Sequence, residues 1–187
     1  YRITSPLLLN IGTYDIDAAL RIDSDWATLL ASAPGGPNSS SQPLPNPVAM
    51  ESVINITIAS HLTINRLLID GNNGTAQYGI RGFKISGAQA RIEQVTVQGA
   101  RSHGFLLEAC QVSYFQHLIT QSNGGDGLCC RGCNGASFTH LTAQDNQGHG
   151  IRLQGWQWIN AKGSLERYSG GAYLSVFSSE SNMGDGV

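Results

Sequence analysis

Three stretches of the chain repeat one pattern: ARIEQVTVQGARSHG (residues 90–104), SYFQHLITQSNGGDG (113–127) and ASFTHLTAQDNQGHG (136–150). Each stretch ends on a glycine, and these glycines follow one another at intervals of 23 residues. AYLSVFSSESNMGDG (172–186) fits the same template after an insertion, and NRLLIDGNNGTAQYG (65–79) is a looser copy. A repeat of this length predicts a solenoid, in which each copy forms one coil that stacks on its neighbours.

Aligning the copies on the glycine places apolar residues in fixed columns. Within a copy, apolar positions two residues apart are separated by variable ones, as in short strands that alternate between the interior and the outside. No stretch keeps the i, i+3, i+4, i+7 spacing of a repeated helix. The pattern predicts about three short strands per coil. The predicted core columns are Ile92, Phe115, Phe138 and Leu174; Val95, Leu118, Leu141 and Phe177; Ile80, Phe105, Leu128, Ile151 and Val187; and Leu107, Cys130 and Leu153.

Asparagine recurs four positions before the glycine, as Asn123, Asn146 and Asn182. Asparagine tolerates the left-handed backbone conformation of turns, and stacked side-chain amides can hydrogen-bond from one coil to the next. This column therefore predicts a turn that is stabilised by an asparagine ladder.

Short parallel strands joined by Gly and Asn turns resemble the single-stranded, right-handed parallel β-helix of the pectate lyase superfamily. The resemblance lies in YRITSPLLL, VINITIASHLTINRLLIDGN, HGFLLE, DGLCC and HGIRL, and it covers nearly the whole chain. It implies an all-β solenoid of about seven coils that forms one domain over residues 1–187. The superfamily contains pectate lyases, polygalacturonases, mannuronan epimerases, phage tailspike depolymerases and proteins without known chemistry, so the fold leaves the activity open.

Two insertions interrupt the predicted stack. Residues 33–47 hold five of the six prolines, and proline removes the N–H groups that a strand ladder needs. An inserted loop is favoured there over a linker between domains, because coils precede and follow it. The second loop falls at residues 157–171, where the spacing between terminal glycines rises to 36 residues.

Charge and hydropathy exclude some classes of partner. The net charge is −2, whereas a nucleic-acid-binding face would be basic. No apolar run reaches the length of a membrane span. The chain starts inside a predicted strand without a methionine and ends where earlier copies enter their next strand, so we expect it to be part of a longer polypeptide.

The cysteine pattern favours buried free thiols. Cys129 and Cys130 are neighbours on a predicted strand, so their side chains face opposite sides and cannot share one metal ion. Cys110 and Cys133 share a column, but parallel stacked Cβ vectors leave their Cβ atoms too far apart for a relaxed disulfide. A disulfide and a metal site remain the less favoured alternatives.

The residue before the glycine is a candidate acid or base in several coils. GDG with Asp126 and GHGI with His149 resemble polygalacturonase motifs, which implies catalytic roles for both residues. The chain has His103 where that family would place an aspartate, and Asp or His before Gly also suits hydrogen bonds that cap a turn. Glu166, in the second loop, is the third candidate catalytic residue.

Aromatic and cationic side chains around the second loop are candidates for sugar binding. Aromatic rings suit the apolar faces of sugars, and guanidinium groups on outward columns suit an anionic glycan. The candidate substrate-binding residues are Arg131, Arg152, Trp156, Trp158, Arg167 and Tyr168. The alternative to sugar binding for Trp156 is a structural role, in which its side chain fills space near a turn.

Two further pairs of polar residues stack on successive coils. His117 and His140 share a column that we expect to be solvated. Glu108 lies beside Arg131, as in a cross-coil ion pair that contributes little when exposed.

The resemblance implies a polysaccharide-degrading protein of the tailspike or pectinase kind, acting by hydrolysis or elimination. The alternative is a non-catalytic glycan-binding or structural segment of a larger fibre. No cofactor or metal is expected, except calcium if the chain is a lyase. The implied partner is a polysaccharide, with no nucleic acid or membrane, in an extracellular or virion-associated location. Tailspikes of this kind are usually trimers, so a homotrimer is also implied.

Overall fold

The computed structural model describes the backbone of residues 2–3, 7–10, 20–31, 50–59, 62–86, 90–159, 165–168 and 171–184. Side chains are described for residues 51–56, 62–86, 90–155 and 171–184. The predicted loop at residues 33–47 lies outside the described residues, as does Val187.

All secondary structure in the described residues is β-strand. The strands are β1 (Arg2–Ile3), β2 (Leu7–Asn10), β3 (Leu20–Ala31), β4 (Met50–Ala59), β5 (Leu62–Asp70), β6 (Ala76–Ile85), β7 (Arg91–Gln98), β8 (Phe105–Glu108), β9 (Tyr114–Gln121), β10 (Leu128–Arg131), β11 (Asn134–Gln144), β12 (Ile151–Gln154), β13 (Trp156–Ile159), β14 (Leu165–Tyr168) and β15 (Gly171–Glu180). Sheet A has the order β1-β3-β5-β7-β9-β11-β15, and sheet B has the order β12-β10-β8-β6-β4-β2.

Strands β1 to β12 alternate between the two sheets, and β15 returns to sheet A. Every pairing inside sheets A and B is parallel. The chain therefore winds from one sheet to the other and returns one strand further along, which defines a parallel β-solenoid. About four coils form a continuous stack in the described part. The all-β parallel solenoid is confirmed, and the seven coils stay a prediction.

The predicted apolar columns form the core between the sheets. Phe115 pairs with Phe138 in register, and their rings stack 4.8 Å apart between centroids. In sheet B, Phe105 pairs with Leu128, which pairs with Ile151. All five side chains are buried, so the register that the glycine repeat predicts is confirmed.

The last described coil departs from the prediction. Leu153 and Phe177 occupy inward columns, yet they are 40% and 48% exposed, and Leu174 is only partly buried. The reason is their position: β12 and β15 are edge strands in the described part of the stack, so no further described coil covers them.

Five strands of sheet A, β5, β7, β9, β11 and β15, each bend at a residue with a positive φ angle. These residues form one column of the stack: Arg66, Gln94, His117, His140 and Val176. Their φ angles lie between 51° and 54°, in the left-handed region. The pairing register skips this column on β7, β9 and β11, and it pairs the residues on both sides. Of the three short strands predicted for each coil, two are therefore segments of one bent strand of sheet A, and the third is a strand of sheet B.

The repeated glycine provides room for close packing between coils. A Cβ atom on Gly127 would lie 2.6 Å from the carbonyl oxygen of Gly150 and 2.7 Å from Cγ2 of Thr120. Neither neighbour can move without disturbing the stack, which explains why the repeat keeps glycine at this position.

The asparagine ladder is confirmed, with one change in the turn. Asn123 Nδ2 donates to Asn146 Oδ1 at 2.9 Å, and Asn146 Nδ2 donates to Asn182 Oδ1 at 2.8 Å. The left-handed residue of the turn comes one position earlier, as at Ser122 and Asp145. The asparagines therefore contribute hydrogen bonds rather than an unusual backbone conformation.

Two of the cysteines differ from the prediction of free thiols. Cys130 and Cys133 form a disulfide, with 6.1 Å between their Cα atoms, whereas Cys110 and Cys129 are free and buried. The prediction of free thiols treated the residues after Cys130 as a straight strand. Gly132 has a φ of 63°, and this turn brings Cys133 back towards Cys130.

Val112 is a site where a substitution should stabilise the fold. It is 52% exposed and has a φ of 45°, a conformation that costs a β-branched residue about 1–2 kcal/mol. The next coil has Gly135 beside it, with a φ of 70°. We expect Val112→Gly to raise the free energy of unfolding by about 1 kcal/mol, after part of the gain is lost to the flexibility of glycine when unfolded.

Guanidinium denaturation followed by circular dichroism measures this change. Ile119→Gly is the matched control, because Ile119 is also partly exposed and β-branched but has an ordinary extended backbone. The control should lower stability, since it removes β-propensity without relieving strain. Equal destabilisation by both variants would contradict the proposed strain at Val112.

Candidate functional site

The outward face of sheet B carries most of the polar residues that the sequence singled out. Cys129 pairs in register with Leu106 on one side and Arg152 on the other, and Arg131 pairs with Glu108. Arg152 is exposed as predicted. Leu106 and Cys129 are 2% and 0% exposed, so this outward column is partly buried, and the prediction of a buried free thiol is confirmed for Cys129.

Asp126 joins its own coil to the next through both carboxylate oxygens. Its Oδ1 accepts the backbone N–H of His149 at 2.9 Å, and its Oδ2 accepts from the Arg152 guanidinium at 3.3 Å. The side chain is only 4% exposed. These contacts give Asp126 the turn-capping role that the sequence offered as the alternative to catalysis.

His103 has the same role one coil earlier. Its Nδ1 accepts the backbone N–H of Asp126 at 3.0 Å, and the ring stacks on Tyr78 with 5.9 Å between centroids. Burial lowers the pKa of His103 below its ordinary value, although the Asp126 carboxylate opposes this shift. A neutral imidazole agrees with an Nδ1 atom that accepts a hydrogen bond.

Arginines and carboxylates form a chain of ion pairs across this face. Arg81 contacts Glu51 and also lies 3.5 Å from Glu108, which in turn lies 3.3 Å from Arg131. The Glu108–Arg131 pair was predicted from the columns and is confirmed. Glu108 is 6% exposed, however, so this pair belongs to a half-buried network rather than to an exposed surface.

The remaining candidates lie on β13 and β14, which form a separate antiparallel pair. In register, Trp156 is opposite Tyr168 and Trp158 is opposite Glu166, while Arg167 is opposite Gln157. These pairings bring the predicted loop residues together along one hairpin. Their side chains lie outside the described part, so their roles in binding or catalysis stay predictions.

A groove lies outside the bend of sheet A, and it spans β7, β9, β11 and β15. It has a volume of about 430 Å³. His117 and His140 contribute parallel rings, 4.4 Å apart between centroids with 9° between their planes. The other lining residues are Gln94, Ile119, Leu141, Thr142, Val176, Phe177 and Ser178.

Sequence reasoning found the two histidines of this groove but not the groove itself. The stacking of His117 on His140 and their exposure are as predicted. The bend that makes the surface concave falls at residues without a glycine or asparagine signal. Histidine adopts this conformation more often than most residues, but the same column also holds Arg66, Gln94 and Val176, which seldom do, so the sequence did not reveal the bend.

The solenoid and these two surfaces define the protein as a β-solenoid with a polar network on one sheet and a groove along the other. Comparison with known proteins adds no assignment, since no family model, curated protein or solved structure matches the chain. Among the described residues, no helix has the length and apolar character needed to cross a membrane.

Proposed function

We propose that the chain recognises a polysaccharide, which binds in the groove outside the bend of sheet A. The observation that supports this proposal is the groove itself. Its volume of about 430 Å³ is within the range of small-molecule binding sites, and it runs across four successive coils. An elongated depression of this kind suits several units of a linear polymer.

The lining of the groove has the mixture of groups that sugars need. Ile119 and Val176 are 36% and 66% exposed, and they offer apolar area to the C–H faces of sugar rings. His117 and His140 cover one another's ring faces, so they present their edges to a ligand. Ring nitrogens at those edges can donate to or accept from hydroxyl groups.

The charge distribution favours an uncharged or weakly charged glycan. The described lining of the groove contains no Asp, Glu, Lys or Arg. The arginines proposed for an anionic glycan lie on the other sheet, where Arg131 is paired with Glu108 and Arg152 with Asp126. Their positive charge is therefore compensated within the protein, which weakens the case for a polyanionic ligand.

The finer fold assignment is also part of this proposal. Parallel strand connections are right-handed in about 98% of cases, which supports a right-handed solenoid. The bent strands and the asparagine ladder agree with a member of the pectate lyase superfamily. The enzymatic alternative keeps Asp126, His149 and Glu166 as predicted acids and bases. None of the three is among the described residues that line the groove of sheet A, so cleavage by them would require the polysaccharide to bind at a second place.

Binding to a panel of neutral and anionic polysaccharides tests the proposal. We expect binding of a neutral glycan that persists at high salt, because the groove contributes no ion pairs. The double substitution His117→Ala and His140→Ala should weaken this binding at least ~10-fold, since it removes the hydrogen-bonding edges from the groove.

The matched control is Arg131→Ala with Arg152→Ala, on the face of sheet B. Circular dichroism of each variant establishes that the fold is retained. A loss of binding in the arginine variant but not in the histidine variant would move the site to sheet B. Assaying the same mixtures for new reducing ends and for unsaturated products tests cleavage separately from binding.

A further inference from the structure

We propose that His103, Asp126 and Cys129 bind a zinc ion on the outward face of sheet B. One ligand atom from each of these three side chains lies within 4.8 Å of the other two. Among the described residues, this is the one group of three or more His, Cys, Asp or Glu side chains that are close enough to share an ion. Nδ1 of His103 and Oδ2 of Asp126 are 3.4 Å apart. That separation suits two ligands that share one ion with bonds of about 2.0–2.2 Å.

The solenoid brings the three ligands together from two coils. His103 and Asp126 occupy one column, directly before the glycine of successive repeats, and they precede β8 and β10. Cys129 is the second residue of β10 and faces outward by register, because its neighbour Leu128 belongs to a core column. The opposite faces of Cys129 and Cys130 made a site of cysteines alone a less favoured alternative, and that argument does not apply to one cysteine with a histidine and an aspartate.

The donor set is one that zinc prefers. Thiolate, imidazole nitrogen and carboxylate oxygen are the usual zinc ligands, and three protein ligands leave a fourth position for water. A thiolate and a carboxylate together balance the two positive charges of the ion. Cys129 is buried and Asp126 is 3% exposed, while the His103 side chain is 14% exposed and gives access from solvent.

The present contacts of the three residues can be exchanged for a metal. Coordination by His103 Nδ1 replaces the hydrogen bond from the Asp126 N–H with a metal–nitrogen bond. Asp126 Oδ2 is held by Arg152, whose side chain is 46% exposed and free to turn towards solvent. Asp126 Oδ1 keeps its bond to the His149 N–H, which orients the carboxylate.

Zinc chloride titrated into the chelator-treated chain by calorimetry tests the site. We expect one ion per chain, and Cys129→Ser and His103→Gln should each weaken binding at least ~10-fold. Cys110→Ser is the matched control, because Cys110 is the other free buried thiol and lies outside the cluster.

Cobalt(II) gives a readout that does not depend on a variant folding correctly. Its complex with the unmutated chain should show a thiolate-to-metal charge-transfer band in the near ultraviolet, which requires a cysteine ligand. Absence of this band, a stoichiometry below one, or equal losses in the Cys110→Ser and Cys129→Ser variants would overturn the proposal. None of these results tests the proposed glycan groove of sheet A.

Discussion

Replacing Phe138 with alanine is expected to lower the free energy of unfolding by about 3–5 kcal/mol. Phe138 is 0% exposed and stacks on Phe115 with 4.8 Å between ring centroids. It pairs in register with Phe115 on one neighbouring strand and with Leu174 on the other. Removing the ring leaves a cavity between three coils, and backbone hydrogen bonds on both sides prevent the strands from closing it.

Guanidinium denaturation of Phe138→Ala, with the slope of the transition compared between variants, measures this loss. Tyr173→Ala is the matched control, because it also removes an aromatic ring, but one on β15 that belongs to a residue 72% exposed. That change should cost less than about 1 kcal/mol. If both variants lost the same stability, Phe138 would not be in the core and the 23-residue register would be wrong.

The core could be predicted from the sequence because two constraints coincide at each repeat. The terminal glycine is required by the close approach of neighbouring coils, as the space around Gly127 demonstrates. The asparagine is required by the ladder that joins Asn123, Asn146 and Asn182. Both residue types recur for reasons of backbone packing, so they fix the register of the apolar columns between them.

The features that the sequence missed depend on local departures from a straight strand. The bend at His117 and His140 uses a left-handed conformation in a column that also holds Gln94 and Val176, which seldom adopt it. The disulfide depends on the turn at Gly132, which the column argument treated as strand. Alternation alone cannot show either departure, because it assigns faces only while the backbone stays extended.

The candidate sites were harder to predict than the fold for a related reason. The sequence placed Asp126 and His149 on neighbouring coils correctly, but it could not decide whether their side chains face a ligand or cap the next turn. In the structure, Asp126 Oδ1 accepts a hydrogen bond from the backbone N–H of His149. For Cys129, by contrast, residue type was enough to predict a buried free thiol, although its place on the strand is outward.

The second prediction with a large expected effect on stability concerns Asn146 in the asparagine ladder. This residue is fully buried, and its side chain makes four hydrogen bonds. Its Oδ1 accepts the backbone N–H and the Nδ2 of Asn123, at 3.2 Å and 2.9 Å. Its Nδ2 donates to the Thr120 carbonyl at 3.2 Å and to Asn182 Oδ1 at 2.8 Å.

Asn146→Ala should therefore lower the free energy of unfolding by about 2–4 kcal/mol, because it leaves the buried N–H of Asn123 without its acceptor as well as removing the amide bonds. Gln144→Ala is the matched control from the same coil. Gln144 also belongs to an amide ladder, donating to Gln121 Oε1 at 3.0 Å, but it is only partly buried and water can replace its bond. The control should cost about 0.5 kcal/mol. Equal losses in the two variants, measured by denaturation under identical conditions, would mean that the asparagine ladder is hydrated rather than buried.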